Sequence, residues 1–344
     1  MKKMIAISGI VSLFFLSSCV TLNEFPIEVF QPAKIILPAE IKNVTIVGRN
    51  LKYTNDTLQN YYSKDFRLVK NKKTFNTDSI SVQACLDSLS QKLQSQKRFD
   101  KITVLPVSSF PLQFVKNIHA PSKNLIQEIA AKTNAEALIL LDMYSGFYSI
   151  NKNSDDGRSI AKVVTASIWT IYDIPKNRMI NHTSLVDTVY WDGLDSKENY
   201  LASRIPDKKA AMQIAAGLVG VNYSKNIIPY WATVYRNTLS CNQADFKKAA
   251  GLAKINKWEE ATEIWKKYTE SKNKRHKIYS LFNLAIASEM DGNIETAIEL
   301  NNNASKISSS PVFTDENEII RKYAAVLAKR KIELAKLNSI NYER

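Results

Sequence analysis

The sequence predicts an α+β chain: an amino-terminal α/β domain with a mixed β-sheet flanked by helices over residues 41–240, then an all-α helical repeat region over 241–344. Three observations carry this. Short β-type runs alternate with amphipathic helical stretches as far as about residue 240. Two longer β-type runs, 163–173 and 179–191, flank Pro175-Lys176-Asn177-Arg178, a four-residue turn that makes them an antiparallel hairpin. Beyond 242 strand signals vanish and only helical periodicity remains.

The chain opens with Lys2 and Lys3, an apolar run over 4–16, and then Leu16-Ser17-Ser18-Cys19. A charged start, a short apolar core and small residues before a cut site describe a signal peptide over 1–18. The run falls short of the roughly 20 residues that span a bilayer's hydrocarbon core of about 30 Å. An aliphatic residue, two small residues and a cysteine resemble the bacterial lipobox. That resemblance implies cleavage before Cys19, diacylglycerol on its thiol and an acyl chain on its amine. Several chains hold far more firmly than one, at about 0.8 kcal/mol per buried CH₂. Val20 follows, with no aspartate to imply inner-membrane retention, so the expected place is the outer membrane, on its periplasmic face or at the cell surface.

Residues 19–40 carry Pro26, Pro32 and Pro38 with little periodicity and read as a lipidated tether. Val44-Thr45-Ile46-Val47 reads as a first buried strand, followed by a polar insertion over 50–77. Asp78 is placed to cap a helix whose Val82, Leu86, Leu89 and Leu93 share one face. Residues 102–105 give a second strand. Ser122 precedes a helix with Leu125, Ile126, Ile129 and Ala130 on one side, and 137–141 form a third, wholly apolar strand. A polar loop over 151–159 leads into the hairpin. Pro206 and Asp207 open an alanine-rich helix, and 231–239 read as the strand that closes the domain.

In the helical part, periodicity predicts helices near 243–254, 257–270, 276–290, 293–306 and 315–337. Trp258-Glu259-Glu260-Ala261 and Ile294-Glu295-Thr296-Ala297 occupy corresponding places after turns. Ala261 and Ala297 are 36 residues apart, close to the roughly 34-residue period of tetratricopeptide repeats. Ala285, Gly292, Ala297 and Ala304 resemble that repeat's small packing positions, where small side chains let antiparallel helices approach. A plain helical bundle is the other reading, and both imply a protein-contact surface.

Hydrophobic residues make up 45% of the chain and aromatics 10%, which argues for packed cores. Lysine and arginine number 47 against 33 acidic residues, a net charge of +14. Behind a lipoprotein signal this excludes nucleic acid and points to acidic headgroups, acidic proteins or simply a lysine-rich solvated surface. After processing, Cys85 and Cys241 are the remaining thiols, compatible with one disulfide or with two buried free cysteines.

No constellation for catalysis is present. His119, His182 and His276 lack a second metal ligand at helical or strand spacing, and there is no G-x-S-x-G elbow, phosphate loop or paired-cysteine knuckle. Hence no enzyme, no cofactor and no metal are expected. Gly217-Leu218-Val219-Gly220 reads as helix packing. Asn151, Asn153 and Asp155, with Asp156 and Gly157, alternate like calcium ligands, but the glycine is one place late and Lys162 stands at the closing glutamate position, so a solvated turn is the better reading. Trp169, Tyr172 and Trp191 read as core or half-core residues. Lys266, Lys267, Lys272, Lys274, Arg275 and Lys277 span a helix end and the next loop. They either complement the helix's negative carboxyl end or form a docking patch for an acidic partner or membrane phosphates.

The element order resembles a domain of envelope proteins: the amino-terminal domain of the Tol-Pal translocation protein, curli-secretion lipoproteins and lipoprotein activators of penicillin-binding proteins. The strand 44–47, the run Thr133-Asn134-Ala135-Glu136-Ala137-Leu138-Ile139, the run Ile168-Trp169-Thr170-Ile171-Tyr172-Asp173, and the late helix before Ile228-Pro229 carry it. The insertion over 50–77 departs from it. The layout of lipobox, this domain and helical repeats is similar to an uncharacterised lipoprotein family of Bacteroidales. The resemblance transfers no site except Cys19. It implies a non-enzymatic, protein-binding or scaffolding lipoprotein with an envelope protein as partner, and the alternative is a lipoprotein that binds glycans or acidic polymers.

Overall fold

A strand, not a tether, begins the described part of the chain. The computed structural model describes residues 20–339 apart from 50, 55–60, 72–76, 111, 118, 153–157 and 195–204. Strand β1 (Thr21–Gln31) runs straight after Val20. Its Phe25, Ile27 and Val29 point to one side and are 3–5% exposed. The sequence carries this period-two pattern plainly, but the three prolines obscured it. Pro26 is tolerated because a two-stranded ribbon is all edge, so its missing N–H breaks no second ladder. The tether expectation for 19–40 is corrected accordingly.

Two units result: residues up to Pro32 together with those from Tyr230 onward, and Ala33–Pro229. The boundaries therefore differ from the expected 40/41 and 240/241.

The second of these units holds the mixed sheet. In chain order its strands are β2 (Asn43–Gly48), β3 (Leu51–Tyr53), β4 (Tyr61–Lys64), β5 (Arg67–Lys70), β6 (Lys101–Leu105), β7 (Gln113–Val115), β8 (Ala137–Lys152), β9 (Arg158–Asp173) and β10 (Arg178–Leu194). The main path is β10-β9-β8-β2-β6. β2 runs parallel to β6 and β8, whereas β8, β9 and β10 are antiparallel. The insertion expected to be irregular builds the β4–β5 hairpin, whose Ser63 and Lys64 pair with the far end of β8, while β3 pairs with β7. The hairpin turn runs from Ile174 to Asn177, which takes a left-handed φ of 45°.

Helices α1 (Thr77–Gln94) and α3 (Lys208–Ser224) cover one face of this sheet, and α2 (Lys123–Thr133) part of the other. Asp78 lies inside α1 rather than at its cap. Leu86, Leu89 and Leu93 are fully buried against Ile46, Ile139 and Ile171, each contributing about 1.5–3 kcal/mol. Ser122 Oγ accepts the Leu125 N–H, and Asp207 Oδ1 accepts that of Ala210, so each caps the helix that follows it. Asn134 ends α2 in the left-handed conformation at φ 55°. Gly220 lets α3 approach α1: a Cβ there would lie 2.1 Å from the Cys85 carbonyl oxygen.

The other unit pairs β1 in an 11-residue antiparallel ladder with β11 (Tyr230–Ser240), the strand expected to close the mixed sheet. Helices α4 (Ala244–Lys254), α5 (Trp258–Lys266), α6 (Lys274–Met290), α7 (Ile294–Ser308) and α8 (Thr314–Asn338) follow, close to the predicted spans. Ala261, Ala285, Ala297 and Ala304 are fully buried where these helices meet, and the inner face of the ribbon packs on the same core.

Candidate functional site

In the mixed-sheet unit, Arg49 just after β2 and one residue each from β8, β9 and β10 form a polar chain that runs from a buried carboxylate to the surface at His182. The register of β8 against β9 slips between Leu141 and Met143, and the extra residue is Asp142. Its carboxylate accepts Arg49 Nη1 at 2.9 Å, and Arg49 Nη1 also reaches the His119 carbonyl at 2.7 Å. The Thr170 hydroxyl donates to Asp142 Oδ2 and lies 2.8 Å from His182 Nδ1. Thr170 and Asp142 are sealed from solvent, so the hydroxyl has no path to a substrate. The chain satisfies a buried carboxylate and ties β2, β8, β9 and β10 together. Beyond it, the same face of the sheet is open, with Ile160, Val186 and Tyr190 exposed among polar neighbours such as Lys162 and Ser184.

In the ribbon-and-helix unit, Cys19 lies outside the described residues. Its neighbour Val20 packs partly buried against the helical core.

The predicted basic run lies where α5 ends and α6 begins. Lys266 and Lys267 sit at the carboxyl end of α5, where cations are favoured. Lys274, Arg275 and Lys277 instead occupy the first turn of α6, where the helix field opposes them. Three of the six are paired: Lys266 with Glu263 at 2.7 Å, Lys277 with Glu270 at 2.9 Å and Arg275 with buried Glu316 at 2.9 Å. Lys266 and Lys267 hold the Glu263 carboxyl below its ordinary range. Among the described residues, exposed Lys267, Lys272 and Lys274 form no ion pair. Helix-end complementarity therefore accounts for only part of the run.

Sequence reasoning missed two features of this unit because both join residues far apart in the chain. The first is an ion network inside the helices. Glu289 accepts Arg236 Nε at 2.8 Å, Arg236 Nη2 at 2.6 Å and the Tyr323 hydroxyl at 2.8 Å. Burial and the adjacent Glu289 charge push the Tyr323 hydroxyl well above the ordinary tyrosine range. The second is a cleft of about 290 Å³ between the ribbon and helices α6 and α8. Leu22, Tyr235, Phe282, Ile286, Ile319 and Val326 supply its apolar lining, with Arg236, Lys322 and Tyr323 beside them.

The remaining candidates are scattered. His276 packs on Phe246 and Tyr268, with ring centroids 5.3 and 5.7 Å away. Trp169 is buried and stacked on Tyr223 at 4.1 Å, while Tyr172 and Trp191 are half-buried. Asn151 Oδ1 accepts the Phe66 N–H; Asn153, Asp155, Asp156 and Gly157 lie outside the described residues. Cys85 and Cys241 are both free thiols, and burial pushes that of Cys85 up. Among the described residues, no group of three or more His, Cys, Asp or Glu is placed to hold a metal, and no helix is long and apolar enough to cross a membrane.

Residues 41–238 match the family described as Domain of unknown function (DUF8603), more than half of the chain. The chain belongs to that family. Residues 247–329 match a second one, Domain of unknown function (DUF6340), over the helices after the ribbon. No curated protein matches the chain. Solved structures similar to it include the PelC dodecamer from Paraburkholderia phytofirmans, at 9% identity over 58% of this chain and 95% of that one, TM-score 0.22. A putative neuraminyllactose-binding hemagglutinin homolog from Helicobacter pylori matches at 11% identity over 56% and 85%, TM-score 0.27. A minor lipoprotein from Acinetobacter baumannii matches at 10% identity over 54% and 95%, TM-score 0.21. Identities and scores this low transfer no function.

Proposed function

We propose that this DUF8603 chain is a non-enzymatic lipoprotein of the bacterial outer membrane, anchored through Cys19, that binds an acidic envelope protein through its helical unit. The observation that carries the binding role is the turn between α5 and α6. Lys267, Lys272 and Lys274 stand exposed there without ion pairs, and Lys274 does so against the field at the start of α6. A merely solvated surface has no reason to gather unpaired cations at that end of a helix. The helices carrying the turn pack through small residues, as tetratricopeptide-like repeats do, and so present rigid faces to a partner. The anchor is supported by the lipobox-like Leu16-Ser17-Ser18-Cys19 and by a fold that starts at the next residues.

The test is in-cell crosslinking from a photoreactive residue placed at position 271, followed by mass spectrometry, with Lys267, Lys272 and Lys274 intact and in the Lys267→Glu, Lys272→Glu, Lys274→Glu triple variant. One or two acidic envelope proteins should be recovered, and the triple variant should lose at least about tenfold of that yield at unchanged melting temperature, since reversed rim charges slow association. Equal recovery from both would sink the docking reading. Recovery of lipopolysaccharide or glycan instead of protein would establish the polymer-binding alternative. Cys19→Ser should abolish acylation and signal cleavage, and a normally acylated variant would remove the lipobox reading.

A further inference from the structure

The cleft between the ribbon and helices α6 and α8 answers to no part of the docking surface. Its apolar lining consists of Leu22, Tyr235, Phe282, Ile286, Ile319 and Val326. We infer that it is an acyl-chain site, and that its occupant is one hydrocarbon chain of the lipid carried by Cys19; this rests on the lipoprotein reading above.

Four observations point the same way. The first is reach. Leu22 forms part of the wall and stands three residues after Cys19, a span of at most about 10–11 Å even fully extended. Val20, between them, packs partly buried against the core of the same unit.

The second is size. At about 290 Å³ the cleft lies at the low end of small-molecule sites, which run from roughly 300 Å³ upward. That suits one chain and not a whole lipid.

The third is chemistry. Three polar residues of the lining, Arg236, Lys322 and Tyr323, are engaged within the protein, and Asn237 stands beside them. Arg236 gives Nε and Nη2 to Glu289 and Nη1 to the Tyr235 carbonyl, Tyr323 donates to Glu289, and Lys322 pairs with Glu318. What the cleft offers a ligand is mostly hydrocarbon, with an uncharged amide at Asn237, which argues against a charged metabolite and for an acyl chain.

The fourth is exposure at the mouth. Leu22 is 47% and Tyr235 62% exposed, and a chain laid into the cleft would cover both.

The test has two arms. The unlipidated mature chain, residues 19–344 carrying Cys19→Ser, is titrated with cis-parinaric acid and with its methyl ester, which fluoresce in apolar sites. Both should bind at one saturable site. Val326→Trp and Ile319→Trp, which fill the cleft, should weaken binding at least tenfold at unchanged melting temperature. No saturable binding, or binding of the acid without the ester, would overturn the acyl-chain site.

In the second arm, cells incorporate a photoreactive 16-carbon fatty acid into the lipoprotein before irradiation. Crosslinks from the Cys19 lipid to peptides of α6 or α8 are expected. An acylated Cys19 that crosslinks only to other lipids would overturn the occupant. An unacylated Cys19 peptide would overturn the anchor, and the occupant with it. The first arm would still report on the cleft, which keeps the two failures distinguishable.

Discussion

At the scale of single residues, the strongest constraint is a buried charge that must keep its partner. The Glu289 side chain is 1% exposed and faces Arg236 in a two-pronged hydrogen-bonded pair, with Arg330 Nε 3.9 Å away. Replacing a buried pair by apolar residues is often tolerated, whereas removing one partner leaves an uncompensated charge. Arg236→Met should therefore cost about 3–5 kcal/mol in urea unfolding. Adding Glu289→Leu should recover much of that loss, and a double variant no better than the single one would contradict the account. None of this is legible in the sequence. Arg236 and Glu289 look like ordinary surface residues of a strand and a helix, and only their meeting across the core gives them weight.

At the scale of elements, the passage from α2 into β8 shows how one carboxylate can fix a junction. Glu136 Oε2 accepts the backbone N–H of Lys42 at 2.5 Å and of Asn43 at 2.9 Å, at the start of β2. These bonds hold its carboxyl below the ordinary range. Because the folded state favours the charged form, this stabilisation is present above the unfolded glutamate pKa of about 4.3 and fades as pH falls through the lower folded value. Melting curves of wild type and Glu136→Gln should differ at pH 7 and converge toward pH 3; a gap independent of pH would remove the ionised hydrogen bonds as its cause. The run from Thr133 to Ile139 was readable as a helix-to-strand passage. That Glu136 staples it to β2 was not, because the partners are backbone groups more than 90 positions away.

At the scale of the whole molecule, the chain returns on itself. β1 belongs with β11, although the mixed-sheet unit lies between them in sequence. Deleting residues 20–32 removes Phe25, Ile27 and Val29 from the helical core and leaves β11 without a partner. A chain starting at residue 33 should then lose protease resistance across 230–339 while 33–229 stays resistant. Uniform resistance would refute this division.

What the sequence determined by itself was local. Period-two and period-3.6 apolar patterns specified most strands and all five helices after the ribbon, and turn and cap residues such as Ser122 and Asp207 marked where several elements start. The expected leader and its Cys19 rest on linear sequence alone, because a signal segment is read that way. Tertiary structure decided what depends on partners: that β11 pairs with β1 and not with the mixed sheet, that three of six clustered cations are neutralised, and that a cleft opens beside Leu22. Hydrogen-bond ladders, ion pairs and cavities are properties of surfaces brought together, and a strand's apolar pattern says which face is buried without saying against what.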